Sequence, residues 1–187
     1  MRPIVITTFV SLDGVMEAPG GGDHPHAGWT FKDVEFDESA YEVKGREMEE
    51  ASALMFGRQS YDEFAPVWPS MEEFATYNAM PKYVVSTTLA GDSAPWGEGE
   101  VTVLSSMDDV AALKETEGGE IHVHGSARLA QSLAAAGLVD RYTLLVFPLL
   151  LGSGKRLFGE GDKTKLALVE HAAYSNGITL QRYDVVR

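Results

Sequence analysis

The chain has 187 residues, 44% hydrophobic and 23% charged, the proportions of one soluble globular domain with room for a full core. A formal net charge of −13 argues against DNA, RNA or an anionic membrane as partner, and any bound phosphate must be met by local cations and backbone N–H groups. With no cysteine there is no disulfide, no thiolate metal site and no cysteine nucleophile.

The apolar run Ile4 to Val10 reads as a first strand. It is too short for a signal peptide, and no apolar stretch is long enough for a bilayer, so a cytoplasmic location is expected. Ser11-Leu12-Asp13-Gly14 turns out of that strand. From Met16 to Thr30 the sequence is loop-like, with Pro19, Gly20-Gly21-Gly22, His24-Pro25-His26 and Gly28. Such a loop after a first strand suits a lid, with Trp29 and Phe31 lining the substrate side; an uninvolved surface insertion is the alternative. Asp37 or Ser39 caps a helix running to about Ser52.

Ala53 to Phe56 reads as a short buried strand, followed by Gly57-Arg58-Gln59-Ser60 and a brief helix before Pro66. Met71 to Asn78 reads as helix, Lys82 to Ser86 and Val101 to Leu104 as strands, and Ser106 opens a helix to about Glu115. Ile121 to His124 is a strand; Gly125-Ser126-Ala127 then opens a helix with Leu129, Leu133 and Ala136 on one face. Tyr142 to Leu151, Leu166 to Tyr174 and Ile178 to Val186 complete the strands. The last two are joined at Ser175-Asn176-Gly177, where Asn-Gly supplies the positive φ angles of a tight turn. Helices and strands alternate to about residue 140 and strands dominate afterwards. The expected fold is therefore one α/β domain spanning 1–187, a mostly parallel mixed sheet ending in an antiparallel C-terminal hairpin.

Four turns fall at the carboxyl ends of strands: Ser11 to Gly14, Gly57 to Ser60, Ser86-Thr87 and Gly125 to Arg128. Ligands of open α/β sheets bind there. Two arginines and several hydroxyls at these ends suit a ligand with several phosphates, and the small residues opening the helix at Ala127 suit an anion. Neither G-x-G-x-x-G nor a G-K-[ST] P-loop is present, which argues against a Rossmann dehydrogenase and a P-loop NTPase.

S-L-D-G after the first strand, G-R-Q-S-Y-D, K-Y-V-V-S-T, and H-V-H-G-S-A-R-L-A-Q-S-L followed by G-L-V-D-R-Y-T-L-L-V-F-P-L-L-L-G-S-G-K-R-L-F occur in one order along nearly the whole chain. Together they resemble the dihydrofolate reductase-like superfamily, and within it the carboxy-terminal reductase domain of the bifunctional riboflavin-biosynthesis deaminase/reductase. The resemblance implies a three-layer fold, NADPH as hydride donor and a homodimer. It implies that Gly57, Arg58 and Ser60 meet cofactor phosphates, that Ser86 and Thr87 lie near the 2′-phosphate, and that Gly125, Ser126, Ala127 and Arg128 cradle the pyrophosphate side. Thr8 and Phe9 correspond to first-strand residues beside the nicotinamide. The implied reaction is hydride transfer to a C=N or C=O bond of a small heterocyclic or sugar-linked substrate. The substrate 5-amino-6-(5-phosphoribosylamino)uracil of riboflavin synthesis is one candidate. A non-catalytic small-molecule or nucleotide-binding protein on the same fold is the alternative.

At strand ends beside the implied nicotinamide, Asp13 is a candidate to orient substrate or relay a proton and His124 a candidate proton donor; an ordinary Asp-Gly turn and a packed structural histidine are the alternatives. Gly152, Ser153 and Lys155 form a candidate substrate-phosphate turn. A true dihydrofolate reductase carries a pterin-binding carboxylate on its first helix. Glu38 and Glu42 are the acids available, neither in the expected register, so dihydrofolate is expected to be a poor substrate. The pairs His24/His26 and His122/His124 have metal-ligand spacing, but no third ligand converges on either, and no metal is expected. Tyr142 to Leu151 and the terminal hairpin supply apolar strand surface consistent with the implied homodimer.

Overall fold

The computed structural model describes residues 1–89, 96 and 99–187. In chain order the elements are β1 (Ile4–Ser11), α1 (Trp29–Lys32), α2 (Glu38–Glu50), β2 (Ala51–Gly57), α3 (Arg58–Phe64), the short 3-10 turns Trp68–Ser70 and Glu72–Phe74, and α4 (Ala75–Ala79). There follow β3 (Lys82–Val85), β4 (Val101–Leu104), α5 (Met107–Lys114), β5 (Glu120–His124), α6 (Ala127–Ala135), β6 (Arg141–Phe147), β7 (Lys165–Ala173) and β8 (Thr179–Val186). All eight strands form one sheet in the order β4-β3-β2-β5-β1-β6-β8-β7. Pairing is parallel from β4 through β6 and antiparallel for β6–β8 and β8–β7. This is the expected α/β architecture. The parallel strands all present their carboxyl ends along one edge, which is where a ligand crevice forms.

Side chains alternate across the sheet, so each strand feeds two cores. On one face Ile4, Ile6, Ala53, Met55, Ile121 and Val123 pack with Val110 of α5 and with Leu129, Ala130 and Leu133 of α6. The amphipathic spacing of α6 buries Leu129 and Leu133 as the sequence predicts. On the opposite face the apolar packing is divided. One cluster gathers Leu54, Phe56, Tyr61, Tyr77 and Trp96; another gathers Trp29, Val43, Leu145, Phe147 and Leu180. Between them the same face carries a polar row: His122 and His124 on β5, Thr7 on β1, Thr143 on β6 and Arg182 on β8. Thr7 pairs in register with His124 and Thr143, and Thr143 with Arg182. Helix α2 lies over this row and meets it with Lys44, Glu47 and Glu50.

Three boundaries differ from the sequence reading for physical reasons. β6 ends at Phe147, before Pro148, instead of running to Leu151, because proline cannot donate to the ladder. β6 also lies inside the sheet, and most of its side chains are buried. The exposed edge is β7, where Leu168 and Val169 face outward. The helix expected over Met71 to Asn78 is split, since Phe74 leaves helical geometry and stacks on Trp68 at 4.4 Å.

The β7–β8 turn is not the two-residue type with two positive φ angles. Among its residues only Gly177 has positive φ (85°), and Gly177 N–H donates to the Tyr174 carbonyl, closing a four-residue turn before the glycine. A side chain at Gly177 is disfavoured twice, by that φ and by Pro148 Cγ at 3.2 Å from the added Cβ. Gly177→Val is expected to cost about 1–2 kcal/mol, read in a thermal melt as a fall in Tm of roughly 2–8 °C. An unchanged Tm would contradict the turn geometry.

Candidate functional site

The crevice is built from two turns held by one side chain. β5 ends in Gly125 and Ser126, both left-handed (φ 59° and 60°), which swing the chain into α6. Ser126 occupies the N-cap position but makes no capping bond, because its Oγ accepts the Gly57 N–H at 2.9 Å. The first backbone N–H groups of α6 are thereby left without a side-chain partner, and they face the crevice with the positive end of the helix dipole. The start of α3 at Gly57 is likewise without a side-chain cap. Gly125 must stay small, since a Cβ there would meet Ser60 Oγ at 3.2 Å and the Phe64 ring at 3.4 Å. Gly57, Ser60, Gly125, Ser126 and Ala127 thus come together as one surface.

Beyond this surface a cleft of about 500 Å³ opens, lined by Arg58, Ser86, Thr87 and Arg128 among others. Arg58 Nε donates to both carboxylate oxygens of Asp62, at 2.8 and 2.7 Å, leaving its terminal nitrogens toward the cleft unbonded among the described residues. The Arg128 guanidinium is exposed and makes no hydrogen bond or ion pair among the described residues. Ser86 Oγ accepts the N–H groups of Thr88 and Leu89, a local bond that fixes the turn and presents Thr87 outward. The sequence reading missed Thr88, Ser105, Ser106 and Met107, which complete the lining. Ser105 and Ser106 follow β4 directly, so the rule that located the other turns applies to them as well.

At the other end of the crevice lie Thr8, Phe9 and His124. Thr8 is buried with its hydroxyl on the Phe9 carbonyl, and the Phe9 ring packs on Tyr41 and edge-on to Phe147. His124 sits against Trp68 and Tyr77, with ring centroids 5.9 and 5.1 Å away. Burial, helped by the nearby Lys44 charge, holds its imidazole well below the usual histidine range, so at neutral pH it is uncharged. Its Nε2 is buried with no hydrogen-bond partner among the described residues, as are the Tyr77 hydroxyl and His122 Nδ1. His124 is therefore a neutral polar group facing the crevice floor, and no imidazolium is available there to give up a proton.

Asp13 is held differently from its expected role. Its carboxylate accepts the Ser11 hydroxyl at 2.6 Å and the N–H groups of Leu151 and Gly152 at 3.1 and 2.8 Å. Those bonds, with the Arg156 guanidinium nearby, bring its pKa down to about 2. It is fully ionised at neutral pH and braces the glycine turn; it has no proton to donate. The turn itself is engaged too. Gly152 N–H is taken by Asp13, Lys155 N–H by Glu17, and the Lys155 ammonium by Glu17 at 2.8 Å and Gln59 at 2.9 Å. Among the described residues the Gly152 N–H and the Lys155 N–H and ammonium are thus already engaged within the protein, while Ser153 is exposed.

The lid residues also divide. Trp29 is fully buried, with its indole N–H on the Glu17 carbonyl and its ring edge-on to Phe147 at 5.1 Å, so it anchors the loop to the core. Phe31 is exposed. His122 does meet Glu50 and Glu120, with one ligand atom of each within 4.8 Å of the others. Those carboxylates already pair with Arg182 and Arg141, and His122 Nε2 bonds Glu120.

Helix α2 holds the largest surprise. Glu38 and Glu42 are exposed to solvent, and the buried positions are Ala40, Val43 and Glu47. Glu47 Oε1 accepts the Thr7 hydroxyl, and the Lys44 ammonium donates to Thr7 Oγ1 at 2.8 Å and Glu47 Oε2 at 3.0 Å. A buried acid is thus present on α2, one turn beyond the candidates chosen from sequence. The i, i+3 spacing of Lys44 and Glu47 was the available signal, but that pattern usually marks a solvated helix face.

Replacing Asp13 by Asn keeps one acceptor oxygen but turns the other into an NH2 donor, so one of the two backbone N–H groups now meets a donor. It is expected to cost about 1–3 kcal/mol at pH 7. The folded-state pKa of about 2 lies below the ordinary 3.8, so the carboxylate's stabilising contribution is complete above pH 3.8 and is lost as pH falls through about 2. Denaturant melts from pH 7 to pH 2 should show wild type and Asp13→Asn converging in acid. A constant gap would contradict this account.

The comparisons with known proteins agree with this geometry. The family model described as "RibD C-terminal domain" matches residues 2–180. The uncharacterized protein YyaP of Bacillus subtilis (strain 168) is 25% identical over 182 residues, covering 95% of this chain and 92% of that protein. A crystal structure of a putative riboflavin biosynthesis protein from Shewanella sp. PV-4 superposes with TM-score 0.78 at 22% identity, over 99% of both chains. Dihydrofolate reductase from Enterococcus faecalis, complexed with NADP(H), superposes with TM-score 0.62 at 13% identity, over 99% of this chain and 97% of that one. The last two establish the dihydrofolate reductase-like fold, and with residues 2–180 matched the chain belongs to the RibD C-terminal domain family of reductases.

Proposed function

We propose that the protein is an NADPH-dependent reductase that delivers hydride to a C=N or C=O bond of a small heterocyclic or sugar-linked substrate. The observation that carries this reading is the uncapped start of α6. Ser126 Oγ accepts the Gly57 N–H instead of capping its own helix, so the helix N–H groups are free for a diphosphate, and Arg58 and Arg128 rim the adjoining cleft. The donor set fits a nucleotide with a further phosphate on its ribose: planar guanidinium forks with unbonded nitrogens beside the Thr87 and Thr88 hydroxyls. The dihydrofolate reductase that shares this fold is described as complexed with NADP(H).

When bound, NADPH supplies the hydride. The chain's part is to hold the nucleotide phosphates between the β2–α3 and β5–α6 turns and to set a substrate beside the partly exposed Phe9 and His124. Asp13 keeps the turn at Gly152 fixed beside the first strand. The ionised state of Asp13 and the neutral state of His124 leave the proton to another group or to water.

NADPH is expected to bind more tightly than NADH. Removing the Arg128 guanidinium should cost about 1.5–3 kcal/mol, a roughly 10- to 100-fold weaker Kd for NADPH, with little change for NADH. Fluorescence titration of both nucleotides into wild type and Arg128→Ala measures this. Equal affinity for the two nucleotides in the wild type would overturn the assignment.

A further inference from the structure

The floor of the crevice is polar and its walls are aromatic. Thr7 on β1 and His124 on β5 stand side by side in register at the centre of the sheet. On one flank Trp68 stacks nearly parallel on Phe64 at 4.8 Å, Phe74 at 4.4 Å and Tyr77 at 5.9 Å, and its edge meets His124. On the other flank Phe9 packs on Tyr41, which stacks on the exposed Phe36. Phe9, Tyr41, Phe64, Trp68, Phe74 and His124 are each partly exposed. Spaced aromatic walls accept a flat ring.

Lys44 reaches into this space from α2. Its ammonium uses two of its three N–H groups on Thr7 Oγ1 and Glu47 Oε2 and lies 4.9 Å from the centre of the Phe9 ring. The Lys44 side chain remains 20% exposed, whereas Glu47 is completely buried, so the carboxylate holds the ammonium from the buried side and one N–H remains beyond these two bonds. A second observation independently calls for a polar ligand there. The Tyr77 hydroxyl and His124 Nε2 are buried without partners among the described residues, and they lie close enough to feel the Glu47 and Lys44 charges respectively.

We propose that Lys44 anchors the substrate and that the substrate is a flat ring bearing a carbonyl or carboxylate oxygen, which the third N–H of the ammonium meets between the two aromatic walls. The proposal rests on the reductase reading for the place of the hydride donor, beside Phe9. The helix position is occupied by a cation braced from beneath, so a substrate oxygen is attracted, and a protonated ring nitrogen is repelled. Glu47 and Thr7 are positioning residues that act through Lys44.

The test uses 2-naphthoate and its uncharged amide, 2-naphthamide, titrated by calorimetry into the full chain with and without saturating NADP+. Wild type is expected to bind the carboxylate at least roughly tenfold more tightly than the amide, the lower range of one charge-assisted contact. Lys44→Met combined with Glu47→Gln avoids stranding a buried carboxylate. It should bring the two ligands within about twofold of each other, with circular dichroism and NADP+ affinity unchanged. Arg46→Ala, which removes an exposed cation paired with Glu170, should retain the preference. In the wild type the Lys44 side-chain 13Cε resonance should shift with naphthoate and stay in place with naphthamide, which decides the matter even if the double variant fails to fold. A preference that survives in the folded double variant, one abolished by Arg128→Ala, or a silent Lys44 resonance would overturn the proposal. Failure of NADP+ to bind at all would instead count against the reductase reading, while the nucleotide-free titrations still decide on Lys44.

Discussion

The hydrogen bond from Gly57 N–H to Ser126 Oγ joins two turns that arise from separate strands, β2 and β5, and fixes the spacing of the crevice between them. A serine at the start of a helix ordinarily turns its hydroxyl back onto the helix's own N–H groups. Here the left-handed backbone at Gly125 and Ser126 aims it across the sheet, and α6 is left with an open, positively polarised end. The remaining features follow from that choice. Gly125 must lack a side chain so that Ser60 and Phe64 can close beneath the turn, and the cations that meet an anion in a chain of charge −13 must stand locally, as Arg58 and Arg128 do.

Much of the fold was legible because it is written in short-range patterns. The β-branched runs, the Ser106 cap of α5, the Asp37 cap of α2 and the apolar stripe of α6 each carry their own periodicity or capping signal. The cleft beside the start of α6 was legible for a related reason: its residues lie in turns at strand ends, close to the glycines that mark them. The surroundings of α2 were not. Lys44 and Glu47 look like any helical ion pair until the sheet brings Thr7 beneath them. The aromatic wall spans two short 3-10 turns and α4, which have no periodicity of their own, and it exists only through stacking on Trp68.

The misreadings share a physical cause. Asp13, Lys155 and Trp29 were judged by residue type and position, as an acid, a cation and a ring near the site. The structure shows each already satisfied: Asp13 by Ser11 and two backbone N–H groups, Lys155 by Glu17 and Gln59, and Trp29 by the core and the Glu17 carbonyl. A polar group engaged within the protein serves architecture, and a group left unpaired is the one with capacity for a ligand. By that criterion the open start of α6, Arg128, His124 Nε2 and the Tyr77 hydroxyl are the groups with capacity to spare among the described residues, and Lys44 keeps one N–H beyond its bonds to Thr7 and Glu47.

The central claim is that this open helix start receives the nucleotide's phosphates. A 1H–15N correlation titration with NADP+ tests it directly, because an amide that begins to donate to a phosphate moves downfield. The account predicts the largest shifts at the backbone amides of Ser126, Ala127 and Arg128, with smaller ones at Arg58 and Thr87. Saturating binding that leaves those helix-start amides unmoved, with the shifts concentrated elsewhere on the sheet, would contradict it.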